Sequence, residues 1–284
     1  MSKFTHYRAA IKTAFYCNQK RLKDKLGIRG RPRSRVVHSG LDHAIERYTR
    51  VSRTLLQYIP DPEALKGCVA SEIGCGDCYA SADMMLGLGA RHVHLVEFQA
   101  LELTEEDRQT LHAIAANADL PNKGELFAPD EPLRLNPLKA TYHQGLLENI
   151  RLPEKVDFLY SFDVLEHVED LDSFFSYCGE VVRPGGLMLH KFDLSGHGLF
   201  EDPMPPLDFM TFPRWLFNII FPKYMRAAGH FADEFFTSME KYGFTDLKIV
   251  PIRVAEPTYL NEIWPHLMAG ARKRDKEIVK LLDL

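Results

Sequence analysis

The chain lacks a long apolar segment and a cysteine framework. Across its 284 residues no apolar run approaches the length of a transmembrane helix, and the N-terminus lacks the apolar core of a signal peptide. The five cysteines show no disulfide pattern, and the thioredoxin-like spacing of Cys75 and Cys78 is interpreted as two reduced thiols in a loop. Internal repeats and low-complexity tracts are also missing. These absences predict a cytoplasmic globular protein.

Charge is unevenly distributed along the chain. Residues 1–60 carry a balance of +11 and the remainder −15, within a formal net charge of −4. The densest basic stretch, Lys20–Arg35, either binds an anionic partner such as nucleic acid or pairs with the protein's own acidic body. It contains no aromatic residue, which argues against binding single-stranded RNA by base stacking. The two interpretations stay open at this point.

The hydrophobic pattern divides the chain into a helical start and an α/β body. Residues 1–62 are expected to form a basic helical N-terminal extension with a break at 27–34, and residues 63–284 the main domain. Alternating β-prone and helical segments predict a parallel sheet with helices on both faces. The expected strands are 68–73, 92–98, 139–143, 155–161, 186–192 and 246–250.

A glycine turn is the most informative motif. A β-prone run ends at Glu72, and Gly74 and Gly76 then form a tight turn that opens a small-residue helix. A dinucleotide fingerprint would place its third glycine at position 79, which is Tyr79 here. The next strand ends at Glu97, about twenty residues beyond the turn, where a carboxylate can reach ribose hydroxyls. The pattern predicts a nucleoside ligand without a pyrophosphate.

Three further motifs follow in order. They are the strand 155–162, the segment Asp163-Val-Leu-Glu166-His167-Val and the turn Arg183-Pro-Gly-Gly. With the glycine turn, they resemble the class I S-adenosylmethionine-dependent methyltransferases, in the branch that includes the type 11-like domains, over residues 65–195. The resemblance implies a Rossmann-like sheet of seven strands and S-adenosylmethionine as cofactor. The family often has an acid after strand three that contacts adenine, and this sequence has Gln144 and Leu146 there instead, either of which could make the contact. The cofactor residues that it implies are Glu72, Gly74, Cys75, Gly76, Glu97, Phe98, Ser161 and Phe162.

The segment after the fifth predicted strand offers catalytic groups. The pattern His190-Lys-Phe-Asp193-Leu-Ser-Gly-His197 is similar to one in bacterial methyltransferases associated with sugar or glycan genes. His197 could act as a general base oriented by Asp193, with His190 nearby. Alternatively, Asp193 and His197 bond to the loop backbone. The aromatic-rich residues 198–230 are interpreted as a lid over the acceptor, or as a helix that packs on the core, across a homodimer or on a membrane surface.

A second group of polar residues could bind a metal ion. Asp163, Glu166 and His167 have a spacing that brings side chains to one helix face. A similar motif holds a divalent metal in ubiquinone-pathway O-methyltransferases and in small-RNA methyltransferases. Many relatives have the same residues and bind no metal, and we favour a site without a metal here.

Together these features predict O-methylation of a hydroxyl on a small-molecule or glycan-type acceptor. The first alternative is a metal-dependent RNA O-methyltransferase, suggested by the basic segment and the possible metal site. The acidic body and the lack of a recognisable RNA-binding module weigh against nucleic acid as a partner. The second alternative is a non-catalytic interaction protein built on the same fold.

Overall fold

The structure is a computed structural model in which the described residues form two compact units. The sheet unit lies within Arg31–Phe162 and Ser173–His190, and the C-terminal unit comprises Asp163–Asp172 and Lys191–Leu284. None of the helices in the described part combines the length and apolar character needed to cross a membrane. The described residues are 41–59, 61–76, 79–98, 126–128, 131–196, 206–212 and 229–284, with Phe15 and Gln109.

A five-stranded sheet forms the centre of the sheet unit. Its strands lie in the order β5-β2-β1-β6-β7, and the pairs β1–β2, β1–β6 and β2–β5 are parallel. All five residues of β1 are buried, as expected for a central strand covered on both faces. The first five predicted strands are therefore confirmed. Their bounds, with a short antiparallel pair β3–β4, are β1 Val69–Ile73, β2 His92–Glu97, β3 Phe127–Ala128, β4 Glu131–Leu135, β5 Ala140–Gln144, β6 Val156–Phe162 and β7 Val182–Lys191.

Helices cover this sheet. Helix α1 (Leu41–Tyr58) lies within the segment predicted to be helical and packs against α2 (Ala80–Gly87). Helix α2 is rich in strong helix formers and nearly all its residues are buried against the sheet. Helix α3 (Leu171–Val181) contacts β7 through Phe174 and Phe175, whose rings meet that of His190. The hydrophobic core lies between α2 and the sheet.

The C-terminal unit has a core of its own. Its helices are α4 (Ala232–Lys241), α5 (Pro257–Ile263), α6 (Ala269–Arg272) and α7 (Lys276–Val279). The short strands β8 (Arg253–Val254) and β9 (Leu281–Asp283) pair antiparallel, and residues 192 and 194 bond to the backbone of residues 284 and 282. The core residues are Leu207, Phe209, Met210, Phe212, Phe231, Ala255, Leu260, Leu267, Ala271, Val279 and Leu282.

The expected strands differ from those of the described residues in two ways. The strand predicted at 246–250 was wrong, because these residues have no regular secondary structure and the short strand β8 lies further on. Ile249 and Val250 are exposed, and Pro251 has no amide hydrogen to donate to a sheet. The predicted seven strands correspond to five in the central sheet of the described residues. Part of the predicted lid is also core: Leu207 and Phe212 are buried, while residues 198–205 and 213–228 lie outside the described residues.

Candidate cofactor site

The glycine turn lies directly after β1 in the sheet unit. Gly74 and Gly76 have φ values of 70° and 60°, which favour glycine. The Gly74 amide donates to the Val96 carbonyl at 2.8 Å, and the Gly76 amide donates to Oε2 of Glu97 at 3.0 Å. A Cβ added at Gly76 would meet no atom within 4 Å, so the turn is open on that side. A ligand can approach the backbone closely there.

Glu97 and Phe98 follow the turn at the carboxyl end of β2. The Glu97 carbonyl accepts a 3.0 Å bond from the Gly145 amide, which joins the ends of β2 and β5. Phe98 is 61% exposed and Leu146, after β5, is 47% exposed. A carboxylate is thus accompanied by exposed apolar side chains on neighbouring strand ends. Such a set suits a ribose and its attached base.

Glu72 and Cys75 point into the protein. The Glu72 carboxyl is 4% exposed, and burial raises its pKa to about 8. Ser81 Oγ lies 2.6 Å and 2.7 Å from its two oxygens, and the Tyr160 hydroxyl donates to Oε2 at 3.2 Å. The Cys75 thiol is buried in the core cluster beside α2. These side chains can support the turn from behind.

Ser161 and Phe162 end β6 on opposite faces of the strand. Ser161 Oγ lies 2.8 Å from Nδ1 of His190, whose ring contacts Phe174 and Phe175. Burial lowers the pKa of His190 to about 3, so its imidazole is neutral near pH 7. Phe162 packs against the core cluster. The sequence had suggested a catalytic role for His190, and these contacts are those of a fixed neutral group.

The three candidate metal ligands lie at the start of the C-terminal unit. Asp163 adopts a positive φ of 54° and its carboxylate pairs with Lys191 Nζ at 2.5 Å. Glu166 is 1% exposed, and burial raises its pKa to about 8, whereas His167 is exposed. No group of three or more His, Cys, Asp or Glu side chains is arranged to hold a metal ion among the residues that the structure describes. Asp163, Glu166 and His167 are thus close in sequence without forming a ligand set.

The remaining catalytic candidates are Asp193 and His197. Oδ1 of Asp193 accepts a 2.7 Å bond from the Ser195 amide and a 3.3 Å bond from Arg253 Nη2. His197 lies outside the described residues, as does the basic segment 20–35. The contacts of Asp193 match the alternative in which it holds the loop backbone.

Several contacts of the sheet unit were not foreseen from the sequence. Ser81 and Tyr160 hold the Glu72 carboxyl, a pairing set by the β1–β6 register that places Glu72 beside Tyr160. On the other face, His94 Nδ1 lies 3.1 Å from His143 Nε2. The only signal for that pair was the alternation of His92 and His94 in a buried strand.

Comparisons with known proteins agree with this geometry. A family model described as "Methyltransferase domain" matches residues 71–190. A ubiquinone biosynthesis O-methyltransferase from Chelativorans sp. (strain BNC1) is 30% identical over 131 residues, covering 45% of this chain and 42% of the relative. One of the same name from Mesorhizobium japonicum is 49% identical over 35 residues, covering 12% and 14%. The matches span less than half of either relative's length.

Among solved structures, Haemonchus contortus phosphoethanolamine N-methyltransferase 2 in complex with S-adenosyl-L-methionine is similar with a TM-score of 0.45 and 16% identity. The similarity covers 79% of this chain and 45% of that one. The domain match spans the glycine turn and nearly all of the five strands of the central sheet. The match identifies residues 71–190 as a methyltransferase domain with a Rossmann-like parallel sheet, and the glycine turn followed by Glu97 lies within it.

Proposed function

We propose that the protein transfers a methyl group from S-adenosylmethionine to a hydroxyl of a small-molecule or glycan-type acceptor. The observation that carries the hydroxyl preference is the likeness to the Chelativorans protein, which is named as an O-methyltransferase. The residues of the sheet unit fit the cofactor, because an open glycine turn and a strand-end carboxylate are next to each other.

The chain's own residues would hold the cofactor in distinct ways. Glu97 would accept hydrogen bonds from the ribose hydroxyls, and the backbone at Gly76 would allow close approach. Phe98 and Leu146 would flank the base with apolar surface. When bound, S-adenosylmethionine supplies a methyl group already activated by positive sulfur. The protein therefore has to orient the acceptor, exclude water and remove one proton.

We propose that His197 accepts this proton from the acceptor hydroxyl. A hydroxyl is a poor nucleophile until its proton is taken up, and an imidazole is suited to do so near neutral pH. Asp193 would hold the chain leading to His197 through its bonds to Ser195 and Arg253. His190 is neutral and lies within hydrogen-bond distance of Ser161, so it would have a positioning role and would not accept the proton.

We propose that the parts of residues 198–230 outside the C-terminal core cover the acceptor. Phe212 and Phe231, on either side of residues 213–228, belong to one buried cluster, so both flanks of that stretch are anchored. Aromatic side chains between these two anchors would exclude water during transfer.

The test begins with calorimetric titration of the full chain with S-adenosylmethionine, with NADH as the control ligand. Methyl transfer is then measured with labelled cofactor and acceptors offered in pairs that differ only in carrying a hydroxyl or an amine. We expect the first ligand alone to bind and the hydroxyl member of a pair to be methylated. Transfer only to amines would contradict the hydroxyl assignment. Binding of neither ligand would favour a non-catalytic interaction protein.

A further inference from the structure

The buried acid before the glycine turn has an unusual environment for a cofactor-binding carboxylate. Glu72 is the fourth residue of β1, and its side chain lies between the sheet and α2. Ser81, in the first turn of α2, contacts both carboxyl oxygens at 2.6 Å and 2.7 Å. Tyr160 of β6 contacts one of them at 3.2 Å. One carboxyl group thus touches three elements that meet behind the turn.

Within the part of the chain that the structure describes, the groups that act on Glu72 are neutral or negative. Its hydrogen-bond partners are two hydroxyls, and the charged group that acts on it most strongly is the Glu97 carboxylate. An ionised carboxylate buried without a cation is unfavourable, whereas a carboxylic acid can both donate and accept. Ser81 Oγ lies within reach of both oxygens, so it can accept the acid proton from one and donate to the other.

We propose that Glu72 is a neutral positioning residue that fixes the glycine turn through Ser81 and Tyr160, rather than a charged contact to the cofactor. This inference rests on the proposed use of S-adenosylmethionine. The turn's own amides already bond to Val96 and Glu97, so its geometry depends on how β1, β2 and α2 are held together. Glu72 supplies the bond between β1 and α2. It thereby fixes the orientation of the Gly76 amide and of the N-terminal end of α2 towards the ligand.

Substitutions that separate charge from hydrogen bonding test the proposal. Glu72→Gln keeps the size and the hydrogen bonds but cannot ionise, and Glu72→Ala removes both. We expect Glu72→Gln to bind S-adenosylmethionine within about threefold of the wild type, and Glu72→Ala and Ser81→Ala to lose at least about tenfold. Ser238→Ala is the matched control, since Ser238 is also buried and bonds to Asp172 at 2.8 Å in the C-terminal unit. It should leave the affinity unchanged.

Two further readouts separate a neutral positioning role from a charged contact to the cofactor. Titration with S-adenosylhomocysteine, which lacks the positive sulfur, should show the same relative losses in each variant. The infrared band of a protonated carboxylic acid should be present in the wild type and weaker in Glu72→Gln. A loss in Glu72→Gln that is larger for the methylated cofactor, or no change in the acid band, would overturn the proposal. Failure of the wild type to bind either ligand would overturn the proposed function instead, and the acid band would still decide the state of Glu72.

Discussion

The backbone amide of Gly76 donates a 3.0 Å hydrogen bond to the Glu97 carboxylate. This bond joins the turn after β1 to the end of β2 and keeps the two parts of the proposed ribose site together. A bound ribose would share or replace this contact. The geometry is pre-organised, because the carboxylate already lies over the turn before a ligand enters.

Replacing Glu97 by alanine should weaken cofactor binding strongly. The change removes charge-assisted bonds to the ribose, each contributing about 1.5–3 kcal/mol, so we expect at least a tenfold higher Kd for S-adenosylmethionine. Calorimetric titration measures it. Glu148→Ala is the control, because Glu148 is an exposed acid shortly after β5. Equal affinities of the two variants would contradict the placement of the ribose.

The glycine at position 76 should be intolerant of a side chain. Gly76→Val would strain a left-handed residue by about 1–2 kcal/mol and block close approach of the ligand. Gly67→Val is a matched control, since Gly67 has a φ of 73°, open space around it and a position before β1. Both variants should lower the thermal midpoint similarly, but only Gly76→Val should lose cofactor binding. Retained binding in Gly76→Val would show that the turn does not face the cofactor.

His197 should affect chemistry more than binding. His197→Ala removes the proposed base, and loss of a general base lowers turnover by about 10²–10⁴-fold. The Kd for S-adenosylmethionine should stay within about twofold. His266→Ala, at an exposed histidine in the C-terminal unit, should change neither quantity. Steady-state kinetics with a hydroxylated acceptor makes the comparison, and wild-type turnover in His197→Ala would remove its catalytic role.

His94 should make the sheet unit sensitive to acid. Burial, with His92 and His143 nearby, lowers the pKa of His94 from 6.5 to about 4. Between these values the unfolded chain binds a proton that the folded chain does not, so stability is lost as the pH falls from 6.5 towards 4. The loss is on the order of 3 kcal/mol for this group.

Urea unfolding across this pH range gives the measurement. His94→Gln should reduce the pH slope of the unfolding free energy, whereas His266→Gln should keep it. His143, whose pKa burial also lowers, would retain part of the slope in the first variant. An unchanged slope in His94→Gln would contradict the assignment.

The sequence alone predicted those features of the fold that depend on local pattern. The alternation of β-prone and helical segments located the five central strands, and the position of Gly74 and Gly76 located the turn. Contacts that depend on register were not predictable in this way. The side chain of Tyr160 meets that of Glu72 only because β6 pairs with β1, and no spacing in the sequence encodes that pairing.

The misplaced features have related causes. The glycine pattern predicts only that Tyr79 is too bulky to lie beside a pyrophosphate. In the structure its side chain is 3% exposed and belongs to the core beside α2. Residues 246–250 have the composition of a strand, but Pro251 follows them directly and their apolar side chains are exposed. Local propensity carries no information about burial in the tertiary structure. That burial places the Tyr79 side chain in the core and leaves residues 246–250 outside any sheet.

The opposite pKa shifts of Glu72 and His94 have a calorimetric consequence. On folding at about pH 5.5, Glu72 takes up a proton as it enters the sheet and His94 releases one. The two exchanges cancel, so these groups add almost no buffer ionisation heat to an unfolding enthalpy measured at that pH. Above about pH 7.5 the His94 imidazole is neutral in both states and mainly the uptake by Glu72 persists, so enthalpies measured in phosphate and in Tris should then diverge.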